Sequence, residues 1–513
     1  MTDTQPNILF VLADQMAAPA LPVYGHPIVR TPHMERLAET GVVFENAYCN
    51  APICAPSRFS MLSGRLPSRI GAYDNAAEFP SSVPTIAHYL RLAGYRTCAA
   101  GKMHFIGADQ QHGFENRLTT DIYPADFGWT PDWRRPDERL EWFHNLVNVV
   151  EAGPSARTLQ IDFDEEVAFR ARRWLYDHVR SNDARPFFLL VSFSHPHDPY
   201  NIPPEYWDRY EGIAIDMPRV PATPPGHRDP HSRRLYDNYD RGEFEITEAH
   251  VRNARRAYYG AMSFIDDRIG ELLQVLDATG QSDTTIVVIA SDHGDMLGER
   301  GMWYKMTFFE WAARVPLIVH APNRCIAGRR RQIVSLVDIL PTLLDLAGTS
   351  APAPIALDGR SLAPLVEGSN ASGPGIACGE YFAEGSVAPI FMVRKDSYKY
   401  ITCPADPPQL YEVDSDPLEL DNLAGRPDHA DAERHLAEIA RGIWDAERLS
   451  QDIVSDQQQR RLVYRALMTG NRTLWDYEPP QAEARAYIRN VEGLYEREAG
   501  AFLPPRKPPD GGP

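Results

Sequence analysis

The segment TTIVVIASDHGD (284–295) runs from β-branched apolar residues straight into the polar cluster Asp292-His293-Gly294-Asp295. A short run of this composition reads as a strand buried on both faces. The same design recurs upstream. ILFVLA (8–13) runs into Asp14-Gln15, YRTCAAG (95–101) into Lys102 with His104 two residues on, and PFFLLVSFS (186–194) into His195-Pro196-His197-Asp198. Helical segments separate these runs. Thr31 caps one that starts at Pro32 and closes at Gly41, and PTIAHYLRLA (84–93) stops at Gly94. Longer charged helices are expected over 164–180 and 248–278. PLIVHAP (316–322) adds a strand, and LVDILPTLLDLAG (336–348) a helix that Pro341 should kink. The alternation predicts an α/β fold, a large mixed and mostly parallel sheet sandwiched by helices.

In open α/β sheets the carboxyl ends of the strands form the ligand crevice. Taken singly, an Asp after a strand is a cap or turn residue, a His is structural and a Lys is solvated. Recurrence of such clusters at equivalent strand ends instead gathers Asp, His and Lys around one crevice. NAPICAPSRFSMLSGRLPSRIG (50–71) adds another element. Cys54 by itself could be a small buried residue, but Arg58 beside it offers a planar fork for an oxyanion.

The chain has 513 residues, 43% hydrophobic and 24% charged, which suits one large folded domain plus a smaller one. Its net charge of −18 argues against nucleic acid or an anionic membrane as partner. No apolar run is long enough to span a bilayer. MTDTQPN enters the first apolar run without a basic region or cleavage site, so no signal peptide is expected. The six cysteines are scattered, without metal-binding spacing or a disulfide framework, which points to a reducing, cytoplasmic compartment. Around 349–375 the composition shifts to Ser, Ala, Pro and Gly. The expected division is therefore 1–375, a smaller antiparallel α+β unit over 376–450, and a C-terminal extension over 451–513. IFMVRKDSYKYI (390–401) and QLYEVDSDPLELDNLAG (409–425) supply strands and a turn in the smaller unit. The last residues, PPRKPPDGGP, are expected to fray.

Cys54-Ala-Pro-Ser-Arg58 resembles the signature of the type I sulfatases of the alkaline phosphatase superfamily. Gly101-Lys102-Met103-His104, Ser291-Asp292-His293-Gly294 and LYEVDSDPLELDNLA (410–424) resemble further family elements, in order along the chain. APSRFSMLSGRLPSRIGAYDNAAEFP (55–80), TDIYPADFGWTPDW (120–133) and the C-terminal WDY (475–477) are most similar to the choline sulfatases within that family.

The resemblance implies an alkaline phosphatase-like fold and conversion of Cys54 to formylglycine by a formylglycine-generating system. One hydroxyl of the hydrated aldehyde would attack sulfur, and the other would later expel sulfate. Asp14, Asp292, His293 and the side chain at 54 would bind one divalent cation. Ca²⁺ ranks first, with Mn²⁺ or Mg²⁺ as alternatives. Gln15 departs from the second Asp that many family members carry, and His293 from an Asn. Arg58 would orient the hydrated aldehyde and the charge around the metal. Lys102 and Lys305 would hold sulfate oxygens. His104 would deprotonate the diol, and His197 would protonate the leaving oxygen, with His195 ranked below it for that step.

The implied substrate is a zwitterionic sulfate ester, choline-O-sulfate. Its trimethylammonium group donates no hydrogen bond and needs aromatic faces and carboxylates. Tyr123, Phe127, Trp129, Trp133 and Trp142 crowd one stretch. Tyr123 and Trp129 are preferred for the ammonium, Glu380 or Glu384 for the carboxylate, and Asn75 for sulfate. The family's C-terminal segment implies a homotetramer, with the extension capping the active site. Phosphonate monoester or phosphodiester hydrolysis on the same machinery is the first alternative, and a non-catalytic choline-ester binder the second.

Overall fold

The computed structural model describes residues 5–123, 126–136, 138–140, 144–181, 183–239, 242–349, 356–369, 373–471, 493–502 and 506. Trp142 and the WDY of 475–477 lie outside them. The 8-stranded sheet runs in the order Gly328–Ser335, Val42–Tyr48, Leu317–His320, Thr285–Ser291, Asn7–Asp14, Phe187–Pro196, Arg96–Gly101, Asn116–Arg117. All neighbours pair parallel except the 317–320 strand, which is antiparallel to both of its own. The strand runs that end in polar clusters are adjacent: 285–291, 7–14, 187–196 and 96–101. Ala13 stands in register with Ser291, Asp14 with Pro196, and Gly101 with Ser192, so their carboxyl ends share one edge. The 7–14, 187–196 and 285–291 strands are buried along their whole length, which is why each reads as an unbroken apolar run.

Two groups of helices flank the sheet. Pro32–Thr40, Leu159–Arg180 and Glu248–Ala278 pack together, as do Cys54–Ser63, Ile86–Leu92 and Ile339–Leu346. Some expectations need correction. Thr31 precedes the 32–40 helix but its side chain makes no cap bond. Asp266, from the 248–278 helix, accepts from His33 N (2.9 Å) and Met34 N (2.8 Å) instead. Pro341 kinks nothing, because a 3-10 turn at Leu336–Asp338 hands over to the 339–346 helix and leaves Pro341 in its first turn, where no N–H is missed.

The smaller sheet is an antiparallel meander of Ile376–Tyr381, Ile390–Lys395, Tyr398–Cys403 and Asp406–Glu412. Within 390–401 the chain folds back at Asp396-Ser397, with Asp396 at φ 50°. Phe391, Val393, Tyr400 and Leu410 pack with Leu436 and Trp444 into a satellite core. Tyr381, Ile390 and Met392 belong to the main core, so the smaller sheet is welded onto the large unit. Helix Ala446–Leu467 crosses the expected boundary at 450/451, and helix Leu494–Ala501 returns to the body of the chain. No helix among the described residues is long and apolar enough to cross a membrane.

Candidate active site

At the shared strand edge, Asp14, Cys54, Asp292 and His293 are fully or almost fully buried and bring one ligand atom each within 4.8 Å of the others. Cys54 opens the 54–63 helix, so its Sγ sits at the positive end of that helix. The sulfur lies 3.2 Å from His293 Nε2, 3.6 Å from Lys102 Nζ and 3.8 Å from Asp14 Oδ1. Burial alone would keep the thiol protonated, but the charges of Lys102, Lys305 and His293 overcome it and drive its pKa well below the ordinary value.

The donor set fits a divalent cation. His293 Nδ1 faces the Gly294 carbonyl at 3.0 Å, which places the proton on Nδ1 and leaves the Nε2 lone pair free to ligate. Burial and the Cys54 charge push Asp14 up, but Lys102 and Arg58 hold it well below the usual carboxylate range. Arg58 is turned away from the cavity. Its Nε donates to Asp292 Oδ2 (2.8 Å), Nη2 to Asp14 Oδ2 (3.0 Å), and Nη1 to the Lys102 carbonyl and Ser192 Oγ. It clamps the two carboxylates of the candidate metal group and is not among the residues lining the cavity over Cys54.

Backbone strain concentrates here. Gln15, His104, Tyr304 and Met306 all have φ between 60° and 76°, a region that costs non-glycine residues energy. These kinks lie within two residues of Asp14, Lys102 and Lys305. Gly101 is needed for a separate reason, because at φ 98° a Cβ there would run into the Ser192 carbonyl.

A cavity opens over Cys54. Of the expected residues, Asn75, Lys102, His104, Tyr123, Trp129, His197 and Lys305 line it. Asn75 Oδ1 accepts from Ala55 N at 3.0 Å, next to Cys54. The His104 ring is buried against the Cys54 thiol, with no other hydrogen-bond partner among the described residues. Lys102 Nζ stands 4.5 Å from the centre of the Tyr123 ring. Lys305 Nζ donates to Gln15 Oε1 (2.7 Å) and meets His197 Nε2 at 2.6 Å.

Other expected residues stand elsewhere. His195 is held through Nδ1 and its backbone N by Asp164 Oδ2, at 2.7 and 2.9 Å. The carboxylate of Glu380 is taken up by Ser68 N, Ser68 Oγ and Trp444 Nε1. Glu384 is buried with neither carboxylate oxygen hydrogen-bonded among the described residues, and burial raises its pKa to about 7. Trp133 packs in the satellite core.

His144, Asn148, Asp198, Leu494, Tyr495 and Glu498 also line the cavity and were not foreseen. Asp198 stood in the HPHD cluster and its strand-end position was the available signal. Asn148 Nδ2 donates to its Oδ2 at 2.7 Å. Glu498 accepts from Gln160 Nε2 at 2.8 Å, and burial together with the Asp198 charge raises its pKa to about 8. Nothing in LYEREAGA (494–501) distinguishes that acid in sequence.

The sulfatase family pattern matches residues 6–349. The pattern for the choline sulfatase enzyme C terminal matches 451–501, and that for the N-sulphoglucosamine sulphohydrolase C-terminal region matches 298–443. The choline-sulfatase of Rhizobium meliloti is 45% identical over 512 residues, covering 98% of this chain and 99% of the relative. The solved phosphonate monoester hydrolase of Agrobacterium radiobacter shares the fold at a TM-score of 0.68 and 23% identity, over 85% of this chain and 95% of that one. A protein solved with its substrate D-glucosamine-2-N,6-O-disulfate does so at 0.69 and 22%, over 88% and 99%. With a match across most of its length and a relative aligned almost end to end, the chain belongs to the sulfatase family.

Proposed function

We propose that the protein is a sulfuric ester hydrolase that cleaves choline-O-sulfate to choline and sulfate. One observation carries this reading: a single buried cavity offers both signs of charge and aromatic faces. Lys102 and Lys305 stand in its wall with Cys54, and so do Asp198, Glu498, Trp129, Tyr123 and Tyr495. A zwitterionic ester requires that combination, since the sulfate needs fixed cations and the quaternary ammonium needs ring faces and carboxylates. The near-full-length likeness to a choline-sulfatase supports the same substrate.

Asp14, Asp292, His293 and the side chain at 54 would hold one divalent cation, Ca²⁺ first with Mn²⁺ or Mg²⁺ as alternatives; the ion would acidify a hydroxyl and neutralise sulfate charge. Conversion of Cys54 to formylglycine by a generating system would supply an attacking hydroxyl and a second one to release sulfate, and Sγ marks where those oxygens would stand. Lys102 and Lys305 would take the sulfate oxygens. His104, buried against the Cys54 thiol with no other partner among the described residues, would accept the proton that leaves on sulfate release. His197 would protonate the departing choline oxygen from Nε2. Asn75, through its bond to Ala55 N, would fix the helix start and face the sulfate. Trp129 and Tyr123 would present ring faces to the ammonium, and Asp198 and Glu498 counter-charge. Between Glu380 and Glu384 we keep Glu384, because the Glu380 carboxylate already has its partners.

Residues 1–375 would form the catalytic unit, 376–450 the smaller unit and 451–513 an extension that caps the site and assembles a homotetramer. Among the described residues the six cysteines are unpaired, which supports a reducing, cytoplasmic setting.

The test compares full-length, metal-loaded enzyme on choline-O-sulfate, an aryl sulfate and an aryl phosphodiester, with mass spectrometry of the peptide bearing residue 54. The highest kcat/KM is expected for choline-O-sulfate, with an aldehyde at position 54. A higher kcat/KM on the phosphodiester would move the protein to the phosphonate and phosphodiester hydrolases. Unmodified Cys54 with no turnover would leave a binder.

A further inference from the structure

One guanidinium of the 446–467 helix reaches the chain neighbours of two cavity-lining residues, Asn75 and Trp129. Arg460 lies in the 446–467 helix and is 6% exposed. Its Nη1 donates to Asp74 Oδ1 (2.6 Å) and its Nη2 to Asp74 Oδ2 (2.7 Å), a two-pronged bond to a fully buried carboxylate. The same Nη1 donates to Thr130 Oγ1 (3.1 Å), and Nε to Asp456 Oδ2 (2.8 Å) one turn back. Asp74 immediately precedes Asn75, whose side chain accepts from the backbone next to Cys54. Thr130 immediately follows Trp129. Gln457 reinforces the second contact, its Oε1 accepting from Trp133 N at 3.0 Å.

Asp74-Asn75 lies in a bend and turn, and Thr130 just past a 3-10 turn, so neither wall is held there by a strand ladder. Loops of this kind keep their position only when an outside group fixes them, and a planar fork fixes direction as well as distance. Catalytic geometry is sensitive at that scale, with a displacement of about 1 Å able to cost about a hundredfold in rate.

We propose that Arg460 is a positioning residue of the active site. It locks the Asn75 loop, which steadies the start of the Cys54 helix, to the Trp129 turn, and so makes the C-terminal segment set the spacing between the nucleophile and the aromatic wall. The part of this inference that concerns substrate choice rests on the choline-O-sulfate reading.

Two variants separate its arms. Arg460→Lys keeps a charge against Asp74 but presents one nitrogen, which cannot fork across both oxygens and also reach Thr130. Thr130→Val removes only the hydroxyl and leaves the ion pair whole. Both are assayed as full-length, metal-loaded enzyme, normalised to folded protein with formylglycine at 54, on choline-O-sulfate and 4-nitrophenyl sulfate. Thr130→Val is expected to raise KM for choline-O-sulfate about fivefold while kcat, and KM for the aryl ester, stay within about twofold. Arg460→Lys is expected to add a fall of about tenfold in kcat on both esters. A merely structural pair would lower thermal stability without moving KM. The proposal is overturned by a Thr130→Val enzyme with unchanged KM for choline-O-sulfate, or by a folded Arg460→Lys enzyme with unchanged kcat. Should the wild type hydrolyse the aryl ester and not choline-O-sulfate, the substrate reading fails alone. The kcat of Arg460→Lys on the aryl ester then decides the positioning role, a fall supporting it and an unchanged value overturning it.

Discussion

Lys305 Nζ lies 2.6 Å from His197 Nε2 and 2.7 Å from Gln15 Oε1. Burial opposes the Lys305 charge, but the negative groups around it, Cys54, Asp14, Asp198 and Asp292, raise its pKa, so it stays an ammonium. It therefore donates to Nε2, and the His197 Nδ1 proton points to the Asp198 carbonyl at 2.7 Å. Should a sulfate draw Lys305 away, Nε2 would be free to take up a proton from solvent, and the imidazolium, steadied by Asp198, could then give it to the leaving oxygen. Replacing His197 by Gln should then cost about 10²–10⁴ in kcat/KM on choline-O-sulfate, whose alkoxide leaves poorly, and under tenfold on 4-nitrophenyl sulfate, whose phenolate needs no acid. Equal losses on both esters would remove His197 from the acid role.

The carboxylates that Arg58 clamps define a second test. Gln15 Nε2 donates to Asp295 Oδ2 at 2.7 Å while its oxygen faces Lys305, so the amide is occupied on both sides and adds no donor to the ligand group. On the proposed reading Asp14, Asp292 and His293 would then hold the metal with residue 54 alone. His293→Ala should lower metal affinity by at least the ten- to hundredfold that even outer-shell partners contribute. Equilibrium dialysis with Ca²⁺ and Mn²⁺ reads this directly, and added metal should raise the unfolding midpoint of the wild type more than that of the variant. Equal metal content in both proteins would show that His293 is no ligand.

How much of this was written in the sequence follows from where each side chain sits. The parallel strands at the centre of the sheet are buried on both faces, so they spell unbroken apolar runs, and the polar residues at their ends stand out. The 328–335 strand, GRRRQIVS, is an edge strand with half-exposed and exposed positions along its first part, and its arginines hide it. The 42–48 strand, VVFENAY, breaks its apolar run with Glu45 and Asn46 and was hidden in the same way. The candidate ligand group was legible because each member ends or adjoins a strand or belongs to the Cys54 signature. Glu498 and Tyr495 were not, because their importance comes from a helix docking hundreds of residues away from its contacts in the chain. Glu380 and Glu384 look alike in GEYFAEG, and only the hydrogen bonds to Ser68 and Trp444 tell them apart.

Trp129 lines the cavity from the Phe127–Trp129 turn, and Asp126 Oδ1 holds that turn by accepting from Gly128 N at 2.7 Å. A ring face over a quaternary ammonium contributes about 0.5–2 kcal/mol. Trp129→Ala should therefore raise KM for choline-O-sulfate by about two- to thirtyfold and leave KM for a neutral-tailed aryl sulfate within about twofold. A matched rise for both esters would assign Trp129 to packing alone.

Glu498 should give the site a pH dependence whose sign follows from its surroundings. Asp198, Gln160, Tyr123 and Tyr495 surround its carboxyl, and burial with the Asp198 charge raises its pKa from 4.5 to about 8. A raised carboxyl pKa stabilises the folded state fully below the unfolded value near 4.5, and that contribution is lost as pH rises through about 8. A bound trimethylammonium reverses the preference, because it favours the carboxylate, so choline binding should expel a proton. Choline affinity is then expected to climb as pH rises from about 6 and to level off above about 8. Glu498→Gln should flatten that slope. It should also remove the loss of stability over the same range, seen as slower amide exchange of the 494–501 helix at pH 8 than in the wild type. Calorimetric titration of choline in two buffers of different ionisation enthalpy counts the released proton. A pH slope that persists unchanged in Glu498→Gln would place the titrating group elsewhere in the cavity.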